Sequence, residues 1–526
     1  MRRAAGILAV VLLAAACGRT DCTGPAGTKP NVVLVTIDTL RADHLGAYGN
    51  TTVRTPNLDQ FAREGVLFEQ AFSQSHITVP SHLAIMSSLP IVEHGVRDNL
   101  SPVARPVEVL PAFFQRAGYR TGGFVSATHL GPRRAVGELM APHLETFAFP
   151  RRASQPFLAE ETNANLFPWL RDHCREPFFA WVHYWDPHMP YTPPAPYTAA
   201  YYDDDPYAER FTSLVGARHP WFHYELAGFR DHLAPQAGAV RALKRDLATS
   251  TKGVRQLVLY PVGARGATPD ETRTLRARLR SVADAVRPRV PMRAGLADWL
   301  EGVRDARYPL ARYAAEVTYT DAQVGALRAE LDRLGIADRT IVVLTADHGE
   351  LLGEHGVWFE HLGLHDPTVH VPLIVWAPGR LAATRRTDVA TGLDVAPTLL
   401  GLAGLPAGPG MRGRDLFGAA PPPGSIVLEA ARGDQLSIRD GDWKLIRTLH
   451  DVSYAPDFER EAGTVELYDM TTDPNERDNV VAAHPERRLA LEQGIDVWLT
   501  AHPAAGARTP AATDRAEDLR ALGYVE

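Results

Sequence analysis

Long apolar runs are scarce in this sequence. One covers residues 4–16, too short to span a bilayer comfortably, and none of membrane-spanning length follows it, which makes a permanent transmembrane helix the weaker reading. Cysteine is rarer still, and three in 526 residues allow one disulfide at most. Positive charge is not in excess, since 55 Lys and Arg face 62 Asp and Glu for a net charge of −7. With no basic stripe and interleaved aromatics, a nucleic-acid-binding surface is not expected. The 42 glycines and 41 prolines follow no period, which excludes a collagen-like or low-complexity chain. What is present, 45% hydrophobic and 22% charged residues, is a globular, loop-rich composition that suits an enzyme.

Arg2 and Arg3 ahead of the apolar run, with small residues before Cys17, read as a secretory signal. Leu13-Ala14-Ala15-Ala16-Cys17 has the form of a bacterial lipoprotein box, with its Leu one place early and Cys17 as the lipid-attachment residue. Residues 1–22 are therefore expected to be a leader and tether. The mature chain is expected in the bacterial cell envelope, lipid-anchored or periplasmic, or secreted, touching membrane only through the lipid. Cys22 and Cys174 remain; an oxidising compartment lets them pair, and their spacing does not decide whether they do.

Three short apolar runs have the character of strands buried on both faces. Each leads into potential metal ligands: residues 31–37 into Asp38, residues 177–183 into Asp186 and His188, and residues 340–346 into Asp347 and His348. In open α/β sheets, sites gather at the carboxyl ends of strands, so the three coincidences point to one site. Helical spacing marks residues 57–64, stopped by Gly65, and residues 313–334, stopped by Gly335. Residues 194–312 are rich in Pro, Tyr and Arg, with a helical patch over 271–286, and read as an insertion or a cap over the site. Residues 30–418 make up the catalytic domain. A Pro-rich linker at 419–424 then leads into a smaller C-terminal unit, residues 425–526, with strand-like segments at 426–429 and 443–447.

Pro80 places Thr78 at or just before the start of a helix running through residues 83–86. A threonine there is ordinarily an N-cap. The same free N–H groups and dipole also favour an anionic substrate and a hydroxyl losing its proton. A threonine hydroxyl needs a base or a metal to become a nucleophile. The candidate ligands are Asp38, Asp186, His188, Asp347, His348 and His361. This mixed carboxylate and imidazole set suits zinc or manganese better than calcium, which prefers oxygen alone.

Taken together, these segments resemble the alkaline phosphatase superfamily, and within it the sulfatases. The likeness runs through residues 30–38, 78–82, 183–188 and 347–356, and continues at 393–398, 441–445 and 466–469. It implies an α/β fold, with a central mixed, mostly parallel sheet sandwiched by helices and a smaller C-terminal α+β unit. It also implies a metal-dependent ester hydrolase. The departures carry information of their own. Family sulfatases convert the first residue of a Cys-x-Pro-Ser-Arg motif, Cys or Ser, to formylglycine; here Thr78 and His82 stand at the first and last positions. Thr39 replaces the second acid of an Asp-Asp pair, and Glu360-His361 stand where a Lys is expected.

These changes resemble the nucleotide pyrophosphatase/phosphodiesterase branch, which uses a Thr nucleophile and two zinc ions. In that likeness Asp38, Thr78, Asp347 and His348 hold one metal, and Asp186, His188 and His361 hold the other. Asn99 resembles a phosphate-oxygen ligand working beside the Val79 N–H. The expectation is a hydrolase of phosphate esters, diesters foremost, acting through Thr78 and two divalent cations. Its substrate would be a small-molecule, glycan-linked or lipid-linked ester. A sulfuric ester hydrolase of arylsulfatase type and a catalytically inactive cell-surface binding protein stay open as alternatives.

Overall fold

The computed structural model describes Cys22 and residues 29–99, 101–103, 106–151, 156–194, 196–214, 303–431, 433–455 and 458–502. The leader with Cys17, most of the 194–312 insertion with its helical patch, and the chain beyond 502 lie outside the described residues.

The three apolar runs form the centre of an eight-stranded sheet. Across it stand Thr384–Arg386, Val66–Phe68, Leu373–Trp376, Thr340–Ala346, Asn31–Ile37, Phe178–Tyr184, Arg120–Val125 and Thr146–Ala148, in that order. Only Leu373–Trp376 runs against its neighbours; every other adjacent pair is parallel. All seven residues of each of the three central strands are buried, which is why these strands read as continuous apolar runs rather than alternating ones. Ile37 lies opposite Ala346 on one side and Tyr184 on the other. The carboxyl ends of the three strands are thereby level, and the residues that follow them meet.

Helices cover both faces. Val33, Val35 and Ile37 point into a core shared with residues of Pro56–Glu64, Ala159–His173 and the long helix Arg307–Arg333. Val32 and Leu34 point the other way, toward Thr78–Ser87, Leu110–Arg116 and Val395–Leu402. Past the linker, an antiparallel sheet of Ser425–Glu429, Gln435–Asp440, Trp443–Thr448 and Val465–Asp469 packs against Leu491 and Ile495 of the helix Pro485–Ala501. It is pinned to the main body through Lys444. That side chain is buried, 2.6 Å from both Asp366 and Glu476. A buried ammonium is tolerable only with such partners, so this pair of acids fixes how the C-terminal unit docks.

Cys22 and Cys174 are bonded, with Cα atoms 5.4 Å apart and 152 residues between them in sequence. The bond ties the segment before the first strand to the end of the helix Ala159–His173. Closing so long a loop restricts the unfolded chain. Replacing both cysteines by serine is expected to cost about 2–5 kcal/mol, read as a lower denaturant midpoint that reductant also produces in the unmodified protein.

Candidate active site

The chain turns sharply where the strand Asn31–Ile37 ends. Thr39 has φ of +53°, a left-handed conformation that costs a β-branched residue about 1–3 kcal/mol. Tyr313 of the long helix holds the turn. Its hydroxyl donates to the Thr39 carbonyl at 2.8 Å and accepts from the Arg41 N–H at 3.3 Å. The turn brings Asp38 against Asp347 and His348, which follow the neighbouring strand.

Asp38, Asp347 and His348 are fully buried, with ligand atoms all within 4.8 Å of one another. The His348 Nε2 lies 3.6 Å from Asp38 Oδ1 and 3.5 Å from Asp347 Oδ2. His348 donates its Nδ1–H to the Gly349 carbonyl at 3.0 Å, which leaves the Nε2 lone pair facing the carboxylates. Neither oxygen of Asp38 nor Oδ2 of Asp347 has a hydrogen-bond partner. Among the described residues, the ion-pair neighbours of the two acids are histidines alone. Burial pushes both carboxyls well above their usual range, and for Asp347 the neighbouring Asp38 charge adds to it. Asp347 Oδ1 accepts the His348 N–H at 2.9 Å; the other three carboxylate oxygens and the imidazole lone pair form a donor set that fits a divalent cation.

Thr78 opens the helix Thr78–Ser87, every residue of which is buried. Its hydroxyl is 3.3 Å from the same His348 Nε2. The Val79 N–H donates to Asn99 Oδ1 at 2.9 Å, so the two groups expected to act on one substrate oxygen are adjacent. His82, one turn on, packs beneath Thr78. Its Nδ1 is 2.9 Å from the Thr78 carbonyl and its Nε2 is 3.0 Å from Thr36 Oγ1.

The three residues read as a second metal trio are placed differently. His361 lies tilted against His348, with ring centroids 4.3 Å apart, and 5.8 Å from His188. His188 donates Nδ1–H to the Met189 carbonyl at 2.6 Å, and His361 donates to the His76 carbonyl at 2.7 Å. Asp186 is engaged elsewhere. Its Oδ2 accepts the Ala159 N–H at 2.9 Å, at the start of the helix Ala159–His173, and burial lifts its pKa to about 7. Among the described residues, Asp186, His188 and His361 do not gather into a compact ligand group. A group that does is His82, His183 and Asp347. His183 was hidden in an apolar run, and its one sequence signal is an imidazole closing a buried strand beside the strand that ends at Asp38. Burial lowers His183 and His361 to about 3 and His188 to about 4, so these rings are uncharged near neutral pH. Glu360, in the place of the expected Lys, is buried, and burial together with Glu350 raises its carboxyl.

Comparison with known proteins follows the same lines. The family model described as Sulfatase matches residues 30–405. An N-acetylglucosamine-6-O-sulfatase of Bacteroides thetaiotaomicron is 23% identical, over 93% of this chain and 90% of that protein. Human iduronate 2-sulfatase is 26% identical, over 72% of this chain and 70% of that protein. A structure solved with its substrate D-glucosamine-2-N,6-O-disulfate gives a TM-score of 0.62 at 20% identity, covering 90% of this chain and 98% of that one. The phosphonate monoester hydrolase of Agrobacterium radiobacter gives 0.61 at 20% identity, covering 92% and 100%. At these identities the solved structures share the fold.

The position of His348 depends on the residue after it. A Cβ on Gly349 would lie 2.1 Å from the Pro367 carbonyl oxygen, a backbone atom that cannot swing aside. Gly349→Ala is expected to cost about 1–3 kcal/mol and to move His348 off the carboxylates. Thermal melts with and without added zinc check both effects, because the variant should lose most of the stabilisation that the metal gives the unmodified chain.

Proposed function

The chain belongs to the sulfatase family of hydrolases, and we propose that it cleaves a small ester of a tetrahedral oxyanion, a sulfuric ester first, at a divalent-cation centre on Asp38, Asp347 and His348. The observation that carries this reading is the buried pair Asp38 and Asp347, with three carboxylate oxygens left without a hydrogen-bond partner, and the Thr78 hydroxyl 3.3 Å from the imidazole beside them. The relatives named above are mostly sulfatases, which supports a sulfuric ester over a phosphate diester as the substrate class. Zinc or manganese suits the mixed donor set better than calcium.

When bound, the cation supplies Lewis-acid polarisation and lowers the pKa of a hydroxyl next to it. The rest is work for the chain itself. Thr78 is the nucleophile, placed by the helix start, where free N–H groups favour the anionic group being attacked. Asn99, which takes the Val79 N–H on its Oδ1, keeps its amide N–H groups for an equatorial oxygen of the substrate. His82 and Tyr313 are positioning residues, the first under Thr78 and the second on the Thr39 turn. His188 and His361, uncharged, line the site beside His348 and meet the ester oxygens. Asp186 acts through the helix start at Ala159.

A phosphate ester is the second reading, and Thr78 favours it. A formylglycine hydrate expels sulfate through its second hydroxyl; a threonine sulfate, formed at Thr78 as the ester's alcohol leaves, is instead cleared by water attacking sulfur, which returns the Thr78 hydroxyl and releases sulfate. A phosphothreonine is open in the same way to attack by water at phosphorus. The Cys22–Cys174 bond supports the exported location expected from the leader, since such bonds persist in oxidising compartments. No described helix is long and apolar enough to cross a membrane.

Thr78→Ala is expected to lower turnover by about a thousandfold or more while the fold and bound metal persist; activity near the unmodified level would remove Thr78 from the mechanism. With protein starting at Cys22, aryl sulfate turnover is expected above aryl phosphate monoester and diester. The reverse order would select the phosphate reading.

A further inference from the structure

We propose that Lys444, on the C-terminal sheet, is a positioning residue for the reaction, holding His348 against Asp38 and Asp347 through the turn Asp366–Val369. The inference rests on the reading of His348 as part of the cation centre. It gives the C-terminal unit a part in the chemistry, although no residue of that unit reaches the two aspartates.

The C-terminal unit grips Asp366 by side chain and main chain together. The Lys444 ammonium is 2.6 Å from Asp366 Oδ1, and Arg439, on the neighbouring strand, donates Nη1–H to Oδ2 at 3.0 Å. The Asp366 N–H donates to Glu476 Oε2 at 2.6 Å, and the other Glu476 oxygen is 2.6 Å from the same Lys444 ammonium. Burial works to raise the Asp366 carboxyl, but Lys444 and then Arg439 outweigh it and hold it well below its usual range. The grip is therefore one between full charges at neutral pH.

The two residues after Asp366 hold the loop that carries His348. The Thr368 carbonyl accepts the Gly349 N–H at 2.8 Å, and the Pro367 carbonyl accepts the Glu350 N–H at 2.9 Å. Backbone meets backbone here so closely that a Cβ on Gly349 would lie 2.1 Å from the Pro367 oxygen. A contact of that kind passes a displacement on, since packed backbone has little room to absorb one. The Gly349 carbonyl in turn takes the His348 Nδ1–H at 3.0 Å, the bond that aims Nε2 at the carboxylates. The turn is itself stiff, because Thr368 Oγ1 reaches the Gly363 and His365 carbonyls at 2.9 and 2.8 Å. Lys444, Glu476, Thr368 and His348 are all buried, so water does not interrupt the series. A buried ion cluster ordinarily serves docking alone. This one differs in that its acid begins the turn to which the catalytic loop is hydrogen-bonded, which is a contiguous physical link of the kind that couples distant groups.

The test is Lys444→Met in the full chain, followed by aryl sulfate kinetics and by amide hydrogen exchange. Turnover is expected to fall about ten- to a hundredfold, as for a reacting group moved by a fraction of an ångström to about 1 Å, with KM within about twofold. Exchange across residues 347–352 should be about tenfold faster, while the strand at residues 31–37 stays as protected as before. If Lys444 serves docking alone, faster exchange is confined to residues 425–469 and kcat per folded molecule is unchanged; either result overturns the proposal. Should Lys444→Met not fold, Lys444→Met with Glu476→Gln takes its place, removing one buried charge of each sign and leaving Asp366 with Arg439. The same outcomes support or overturn the proposal there. An unmodified chain that hydrolyses none of the aryl esters would instead sink the proposed function, and exchange across residues 347–352 would still decide whether Lys444 holds the His348 loop.

Discussion

Parallel strand register forces two carboxylates together out of water. Ile37 lies opposite Ala346, and the next residue on each strand is an aspartate, so Asp38 and Asp347 meet wherever this sheet forms. Removing one unpaired charge from water costs more than a typical hydrogen bond returns. Two adjacent ones dictate what can surround them. The start of the helix Thr78–Ser87 points at them, imidazoles crowd their free edges, and Thr39 is held in a strained turn that the Tyr313 hydroxyl braces from the long helix. The site is best understood as the surroundings of that pair.

The imidazoles do not settle the charge. His348, His188 and His361 each give Nδ1–H to a backbone carbonyl, and burial keeps them neutral. Carbonyls close in sequence, Gly349 and Met189, fix two of those rings by local backbone geometry, and the third is fixed by a reciprocal pair in which His76 also donates to the His361 carbonyl at 2.7 Å. Rings so tied present the opposite edge, Nε2, as a lone pair. Neutral donors around anionic oxygens are the arrangement expected of a metal centre, where the positive charge arrives with the ion.

Much of this was legible in the sequence for a definite reason. Strands buried on both faces leave continuous apolar runs, and a ligand directly after such a run has nowhere to go but the strand's end; hence Asp38, Asp347 and His348 could be read together, as could Thr78 behind Pro80. Asp186 could not be read in this way. It also follows a buried strand, but its oxygen is taken by the Ala159 N–H, 27 residues earlier in the chain, a contact with no local signature. His183 was missed because a polar residue inside an apolar run looks like the run. The Cys22–Cys174 bond spans 152 residues, and nothing in spacing reports on distance over that length. Lys444 was read as part of a family-like segment, yet its partners Asp366 and Glu476 lie on separate segments and emerge only with the docking of the C-terminal sheet.

The departures from the sulfatase pattern also constrain the substrate by charge. His82 stands for an arginine and Glu360 for a lysine, so two fixed cations of the family's site are gone. The replacements are a neutral imidazole and a carboxyl whose pKa burial has raised. With one bound divalent ion, the two aspartates and the metal cancel, and little positive charge remains for the substrate. On the proposed reading, such a charge balance suits a singly charged ester, a sulfate monoester or a phosphate diester, over a doubly charged phosphate monoester. Substrate charge in this protein is therefore set by what balances Asp38 and Asp347.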